Sequence, residues 1–529
     1  MDWRGRQGIT SGRFFWCACL AIAAALLAIE LSFLTLPGIQ QDEALFVRPF
    51  LAGESALFNL HVGNFRAPVM LMDYIGCLKT WLYWPVFRTW PPGVWPVRLP
   101  VCLASIWTLL LFAGLTRRIG GVRVAIGAAI LLAGDASFVF TDVFDWGPVA
   151  LLLTGALGFL ALLERFGESG SRPLLAAAFA LAGAMLWYKA VFAFPMAGIL
   201  IACAAVFPRR LWQRASAGTL AIALAALLVG ASPLLLFNIR TGGATLKAWS
   251  QLAPIPASEK LMMLRLTLNG KALEHYMVRS LPGEVLPLRG APIGELVKTW
   301  YRNSTLGPGS FLFFALLMSA VALPLLRASL LFKPIVFAWV AGLSTVALFF
   351  VAGSSGAGPH HTVLMYPAPH FIVAATTAAL AERMRGFWRY GLVFGVVALV
   401  GASDAVLLVN YHRAALRNGF SVYWTDATRQ LPGVIRNAGK PVTFLDWGIE
   451  APARIESGDA IRVVEPAPAR EGVLYITHTA DYLVAESGTE GIVTDASSRG
   501  LAVSDARAIA DSHGNAVLSV FSFAPARRR

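Results

Sequence analysis

The chain is built from long apolar runs separated by short polar turns. Runs near residues 14–36, 97–116, 122–141, 147–164, 173–188, 190–207, 216–237, 309–327, 334–352, 362–381 and 388–410 are dominated by Leu, Ala, Val, Ile and Phe. A helix needs about 20 residues to cross a hydrocarbon core of roughly 30 Å, so this pattern predicts about eleven membrane spans. Backbone polar groups cannot stay unpaired in lipid, which makes the spans helical. A membrane barrel needs short alternating segments, and none precedes residue 411. Composition agrees: of 529 residues, 57% are hydrophobic and 14% charged, with a mean hydropathy of +0.63. An ordinary soluble enzyme is excluded.

The stretch Ala67 to Phe87 is ambiguous. It is apolar but carries Asp73 and Lys79 and ends in Trp81, Tyr83 and Trp84. Aromatic rings at headgroup depth predict an interfacial helix here. Charge supports that choice. With 67–87 on the surface, one side collects Arg4, Arg6, Arg13, Arg117, Arg118, Arg123, Arg165, Arg172, Arg209, Arg210, Arg214, Arg327, Lys333, Arg383, Arg385 and Arg389. All lie in short loops, as the positive-inside rule requires; a span at 67–87 would flip every later loop. The net charge of +14 therefore reflects membrane topology and gives no reason to expect a nucleic-acid partner. The run Phe14 to Leu36 exceeds a signal-peptide core, so it reads as an uncleaved anchor.

Three large features fall on the outer side: residues 37–96, 238–308 and 411–529. The second carries helical patches at Ala257 to Leu268 and Lys271 to Val278. The third changes character. Strand-like runs (Val442 to Leu445, Ile461 to Val464, Gly472 to Ile476, Gly491 to Thr494, Ala516 to Phe523) alternate with polar segments, and Ser504 to Ser512 reads as a helix. The expectation is a polytopic α-helical transmembrane domain, 1–410, followed by a small soluble α/β domain, 411–529. The five cysteines lie in apolar or interfacial segments with no CxxC pair, so neither a disulfide framework nor a zinc cluster is expected.

Chemistry-bearing residues gather at the outer ends of these helices. Asp42 and Glu43 follow the first span after the short connection Pro37-Gly38-Ile39-Gln40-Gln41. Asp135, Asp142 and Asp145 end the third, and Asp142 and Asp145 share a face if the helix continues. Lys189 occupies the turn between the fifth and sixth, Arg240 follows the seventh, and His360-His361 precede the tenth. Each has a plain alternative: a solvated acid pair, a snorkelling lysine, helix-capping histidines. Glu30 and Asp404 lie inside spans, where acids are buried, hydrogen-bonded or functional.

An acidic Asp42-Glu43 pair in the first outer loop, after a basic N-terminus and one span, resembles the GT-C superfamily of lipid-phosphosugar glycosyltransferases. It is similar to protein O-mannosyltransferases, lipid A aminoarabinose transferases and RgtA/B/C/D-like bacterial enzymes. Phe65-Arg66-Ala67-Pro68 resembles that family's first-loop segment, and Val97-Arg98-Leu99-Pro100 the start of its second span. Thr116-Arg117-Arg118-Ile119-Gly120 and the stretch from His360-His361 to Tyr366-Pro367-Ala368-Pro369 extend the likeness. The resemblance implies inverting transfer of a sugar from a polyprenyl-phosphate carrier to a periplasmic glycan, lipid or protein, in a bacterial inner membrane. Asp42 would be the base, with Glu43 and Asp145, or Asp142, orienting the acceptor. Lys189, Arg240, His360 and His361 would neutralise the donor phosphate, with Arg66 and Arg98 serving the acceptor or the loop. A divalent cation, if used, would draw on Glu43, Asp145 and His361.

Other classes fit the pattern less well. A secondary transporter would show two similar halves and helices broken near the midplane. A membrane-anchored assembly protein would leave Asp42 dispensable. A lipid-linked-glycan ligase or polymerase shares the carrier and the membrane face.

Overall fold

The computed structural model describes residues 9–51, 56–250, 254–279, 309–353, 358–458, 460–484 and 488–526. Part of the second outer loop (280–308), the tract 354–357 before the histidines, and Arg4 and Arg6 lie outside the described residues.

Helices occupy the predicted apolar runs. Ile9–Leu34 fills the first. Val94–Gly134 covers the second and most of the third, divided at Gly121, whose φ of +81° is closed to most side chains. Ala150–Ser169, Arg172–Tyr188 and Ala193–Val206 follow. The run 216–237 becomes Ala217–Gly230 and Ser232–Thr241, bent by 68°, with Pro233 just beyond the bend. Among the described residues, six helices are long and apolar enough to cross a membrane, or seven with the bent pair counted as one span. Three shorter apolar helices fill further predicted runs.

The bundle has two chemically distinct ends. At one, the Arg117 guanidinium sits 4.7 Å from the Phe15 ring and that of Arg123 5.4 Å from Tyr390. Arg118 bonds Glu164 at 3.1 Å and Glu168 at 2.8 Å, and Arg214 donates to the Glu168 carbonyl. These contacts gather basic loops that are distant in sequence onto one face. Asp42 lies beyond the other end of the first helix, which at 1.5 Å per residue is on the order of 35 Å away.

The first outer loop departs from expectation. Residues 67–76 are not helical. Phe65–Met72 pairs antiparallel with Phe58–Val62, Ile75–Gly76 adds a short third strand, and the helix begins only at Leu78 and ends at Thr89. The physical reason lies in the partners. Val69, Met70 and Leu71 are buried, and the Val69 carbonyl accepts from Cys77 N and Trp187 Nε1. Gly76 lies so close to Trp187 that a Cβ there would sit 2.2 Å from its carbonyl oxygen. The interfacial aromatics remain: Trp81 and Trp84 stack at 5.7 Å, with Phe65 against both.

Residues 411–529 hold a four-stranded sheet in the order Val442–Phe444, Leu474–His478, Ala516–Pro525, Leu501–Ala510. The first pair is parallel and the others antiparallel. Two expectations are reversed. Ser504 to Ser512 falls largely within the strand Leu501–Ala510, because pairing with Ala516–Pro525 overrides its Ala-rich composition. Gly491 to Thr494 lies inside the helix Thr489–Ser498, which buries Ile492 and Ala496 on one face. Of Ile461 to Val464, only Val463 makes a bridge, to Val442.

This segment packs onto the first outer loop. Gly38 N donates to the Trp424 carbonyl at 2.9 Å. Arg429 donates to the carbonyls of Thr35 and Pro37, each at 2.9 Å. Arg48 pairs with Glu450 at 3.3 Å. Ile39, Ala44, Val47 and Val97 share a buried cluster with Ala451 and Ile455.

Candidate active site

The acidic motif starts a short helix, Gln41–Leu45. Gln40 caps it through its side chain, and Glu43 reaches back to the Gln40 N–H at 3.2 Å. That capping box turns the two acids in different directions.

Glu43 is buried and fully engaged. Arg98, itself fully buried, grips it with Nε to Oε2 at 2.6 Å and Nη2 to Oε1 at 2.9 Å. The same guanidinium donates to the carbonyls of Leu34 (2.6 Å), Pro37 (3.1 Å) and Gly38 (2.6 Å). Arg98 thus ties the end of the first helix, the connection and Glu43 into one unit. Bidentate geometry makes such a clamp directional.

Asp42 is half-buried, and its Oδ2 accepts one long bond, from Gly147 N at 3.3 Å. Burial pushes its carboxyl above the usual range. The charge of Lys189 and the Gly147 N–H oppose that rise, and Asp145 adds to it. Lys189 caps the helix Arg172–Tyr188 and donates to the Gly147 carbonyl. Burial lowers the Lys189 ammonium to about 8, against the raising charges of Asp42 and Asp145. Asp42, Lys189 and the backbone of Gly147 therefore form one electrostatic unit.

Asp145 has a different occupation. Its Oδ1 accepts from Val149 N (2.9 Å) and Ala150 N (3.0 Å), at the start of Ala150–Ser169. Its Oδ2 is paired with Lys79, which also lies 4.8 Å from the Phe46 ring. Asp142 is buried with both oxygens unpartnered, facing the charges of Glu30 and Asp145. Glu30 is bonded by Ser105 at 2.5 Å. Asp135 caps the helix Ala136–Val143 and meets Tyr366 and His370.

His360 and His361 lie in the four-residue turn Pro359–Thr362, and their rings are 4.1 Å apart. Neighbouring histidines on a long helix would diverge, whereas this short turn brings them together. His360 packs on Trp146 at 4.9 Å and against Gly147. Arg240 does not join the group in any described contact. It is exposed near the end of Ser232–Thr241, beyond the 68° bend. Arg66 is exposed on the strand Phe65–Met72. Lys79 belongs to the site, yet the sequence shows it only as an odd charge in an apolar run.

Among the described residues, the acids and histidine named for a divalent cation are engaged elsewhere. Glu43 is held by Arg98, Asp145 by Lys79 and two N–H groups, and His361 packs at a tilt against His360. Among the described residues, no group of three His, Cys, Asp or Glu side chains is arranged to hold a metal.

No family model matches the sequence, and no curated protein matches it. Solved structures do. ArnT from Cupriavidus metallidurans bound to undecaprenyl phosphate aligns with a TM-score of 0.57 at 13% identity, covering 95% of this chain and 97% of that one. Its apo form gives 0.56 at 14%, covering 96% and 98%. The arabinofuranosyltransferase AftD from Mycobacteria gives 0.50 at 13%, covering 95% of this chain and 39% of AftD. These likenesses establish the fold, which this chain shares with those membrane proteins over nearly its whole length.

Proposed function

We propose that this chain is a GT-C membrane glycosyltransferase that moves a sugar from a polyprenyl-phosphate carrier to a hydroxyl-bearing acceptor. The observation that carries the reading is the contrast at the motif. Asp42 presents a carboxylate with one long hydrogen bond, beside a buried lysine, at the end of the bundle opposite the basic loops. The undecaprenyl phosphate bound to ArnT supports a lipid-phosphate donor.

Asp42 accepts the proton of the acceptor hydroxyl as its oxygen attacks the anomeric carbon. The bond from that carbon to the phosphate oxygen breaks, and the sugar is transferred with inversion. Lys189 offsets the charge that develops on the leaving phosphate; His360 packs against Gly147 with His361 beside it, and Lys79 is paired with Asp145. Low local dielectric strengthens each contact. Glu43 and Arg98 hold the loop, and Asp145 fixes the following helix against Lys79.

The basic loops on the side of the N-terminus put it in the cytoplasm of a bacterial cell, and an odd number of spans carries the chain to the opposite side. The acidic motif and the domain 411–529 then lie in the periplasm, with the bundle in the inner membrane. The positive-inside distribution and the two chemically distinct bundle ends support that topology. Purified protein in lipid nanodiscs, given undecaprenyl-phosphate-linked sugars and an acceptor extract, should release the carrier. Asp42→Asn should reduce release by about 10²–10⁴-fold. Release at the wild-type rate from that variant would remove Asp42 from the mechanism.

A further inference from the structure

The C-terminal sheet carries a feature that the transfer chemistry does not use. Trp447 is 43% exposed, just past the end of the strand Val442–Phe444. Its backbone N–H donates to Asp446 Oδ1 at 2.7 Å. Asp446 Oδ2 in turn meets His478 Nδ1 at 2.7 Å and accepts from Val484 N at 3.1 Å. Both Asp446 and His478 are buried. A buried Asp–His pair thus holds an exposed tryptophan where two parallel strands end, the edge at which open α/β sheets bind ligands.

The rings continue inward from there. Trp447 lies 6.2 Å from Tyr423, Tyr423 6.2 Å from Tyr276, and Tyr276 4.5 Å from Trp146. Trp146 is bonded in sequence to Gly147, whose N–H meets Asp42. Tyr423, Tyr276 and Trp146 are each only partly buried. Beside this run stands Trp424, buried against Trp146 at 5.6 Å with its Nε1–H unpartnered. A purely apolar seam between bundle and sheet would not strand an indole donor there or leave its outer tryptophan open.

We propose that Trp447, Tyr423, Tyr276 and Trp146 form a stacking track that guides a saccharide acceptor to Asp42. The proposal rests on the transfer reading above and names its acceptor class. Sugars offer C–H faces that lie flat on aromatic rings and hydroxyls at their rims that need donors and acceptors. The track supplies ring faces along its length and ends at the carboxylate of Asp42, with the unpartnered Trp424 N–H buried beside it. A lipid acceptor would instead require a continuous apolar groove reaching the bilayer.

The test uses the full chain in nanodiscs and saturation-transfer NMR with soluble glucan, mannan, arabinan and chitin hexasaccharides. At least one should bind wild type, and Trp447→Ala and Tyr423→Ala should weaken that binding roughly tenfold. Trp212→Ala, at the basic end of the bundle, should leave it unchanged. Failure of all four to bind wild type, or equal binding by the track variants, overturns the proposal. Asp42→Asn should still bind saccharide while losing transfer. If it binds and also transfers normally, the track stands and the catalytic reading fails.

Discussion

Asp42 and Glu43 are neighbours in sequence, but the regions they face differ in kind. Glu43 points into a closed clamp, where Arg98 supplies two contacts to it and three more to the surrounding carbonyls. Asp42 makes one long hydrogen bond beside a nearby ammonium, which leaves its oxygens available. A saturated carboxylate stabilises; an under-coordinated one beside a cation can take a proton. The capping box produces both environments within a single turn of helix, so the motif combines a structural acid with a chemical one.

Breaking the clamp should have the largest effect. Arg98→Met leaves Glu43 buried without its cation, which typically costs about 3–5 kcal/mol. The variant should be recovered largely unfolded on detergent extraction. Recovery as wild type would mean that the clamp is not structural.

A smaller loss is expected where the C-terminal sheet grips the same loop. At Gly38 a Cβ would meet the Thr425 carbonyl oxygen at 2.1 Å. Gly38→Val should cost about 1–3 kcal/mol by overpacking. Limited proteolysis should then release the 411–529 segment faster than from wild type, and an unchanged cleavage rate would show the grip to be weak.

The pH profile sharpens the other side of the comparison. Asp42 must be ionised to act, and burial raises its pKa, so transfer should fail as pH drops at values above the ordinary carboxylate pKa of about 3.9. Lys189 must stay charged, so a second limb should appear as pH rises through about 8. Lys189→Met removes the charge that lowers Asp42. Its acid limb should move to higher pH, and its alkaline limb should disappear. Both limbs unchanged would detach Lys189 from the site.

Much of this was legible in the apolar pattern, because span length and loop charge answer to the bilayer rather than to tertiary contacts. The proximity of the acidic motif to Lys189 is partly legible for the same reason: each follows an apolar run at the same end of the bundle. Pairings across the chain were hidden. Lys79 and Asp145 are 66 residues apart, Arg98 and Glu43 are 55 apart, and no local spacing marks either pair. Arg240 fitted the pattern yet stands apart in the described contacts, because the helix bend at residue 231 redirects it. Segments 67–76 and 504–512 were misread where sheet partners, remote or across a turn, outweigh local composition.

The account's central claim is that Asp42 does the chemistry while Glu43 holds the loop. The most direct measurement is a side-by-side comparison of Asp42→Asn and Glu43→Gln in nanodiscs, reading single-turnover carrier release and thermal unfolding on the same samples. The account predicts that Asp42→Asn unfolds near the wild-type temperature and loses release by about 10²–10⁴-fold. Glu43→Gln should unfold at a clearly lower temperature, with Arg98 left buried without its counter-ion, yet keep release in whatever fraction remains folded. The reverse pattern, a stable Glu43→Gln without release and an active Asp42→Asn, would contradict it.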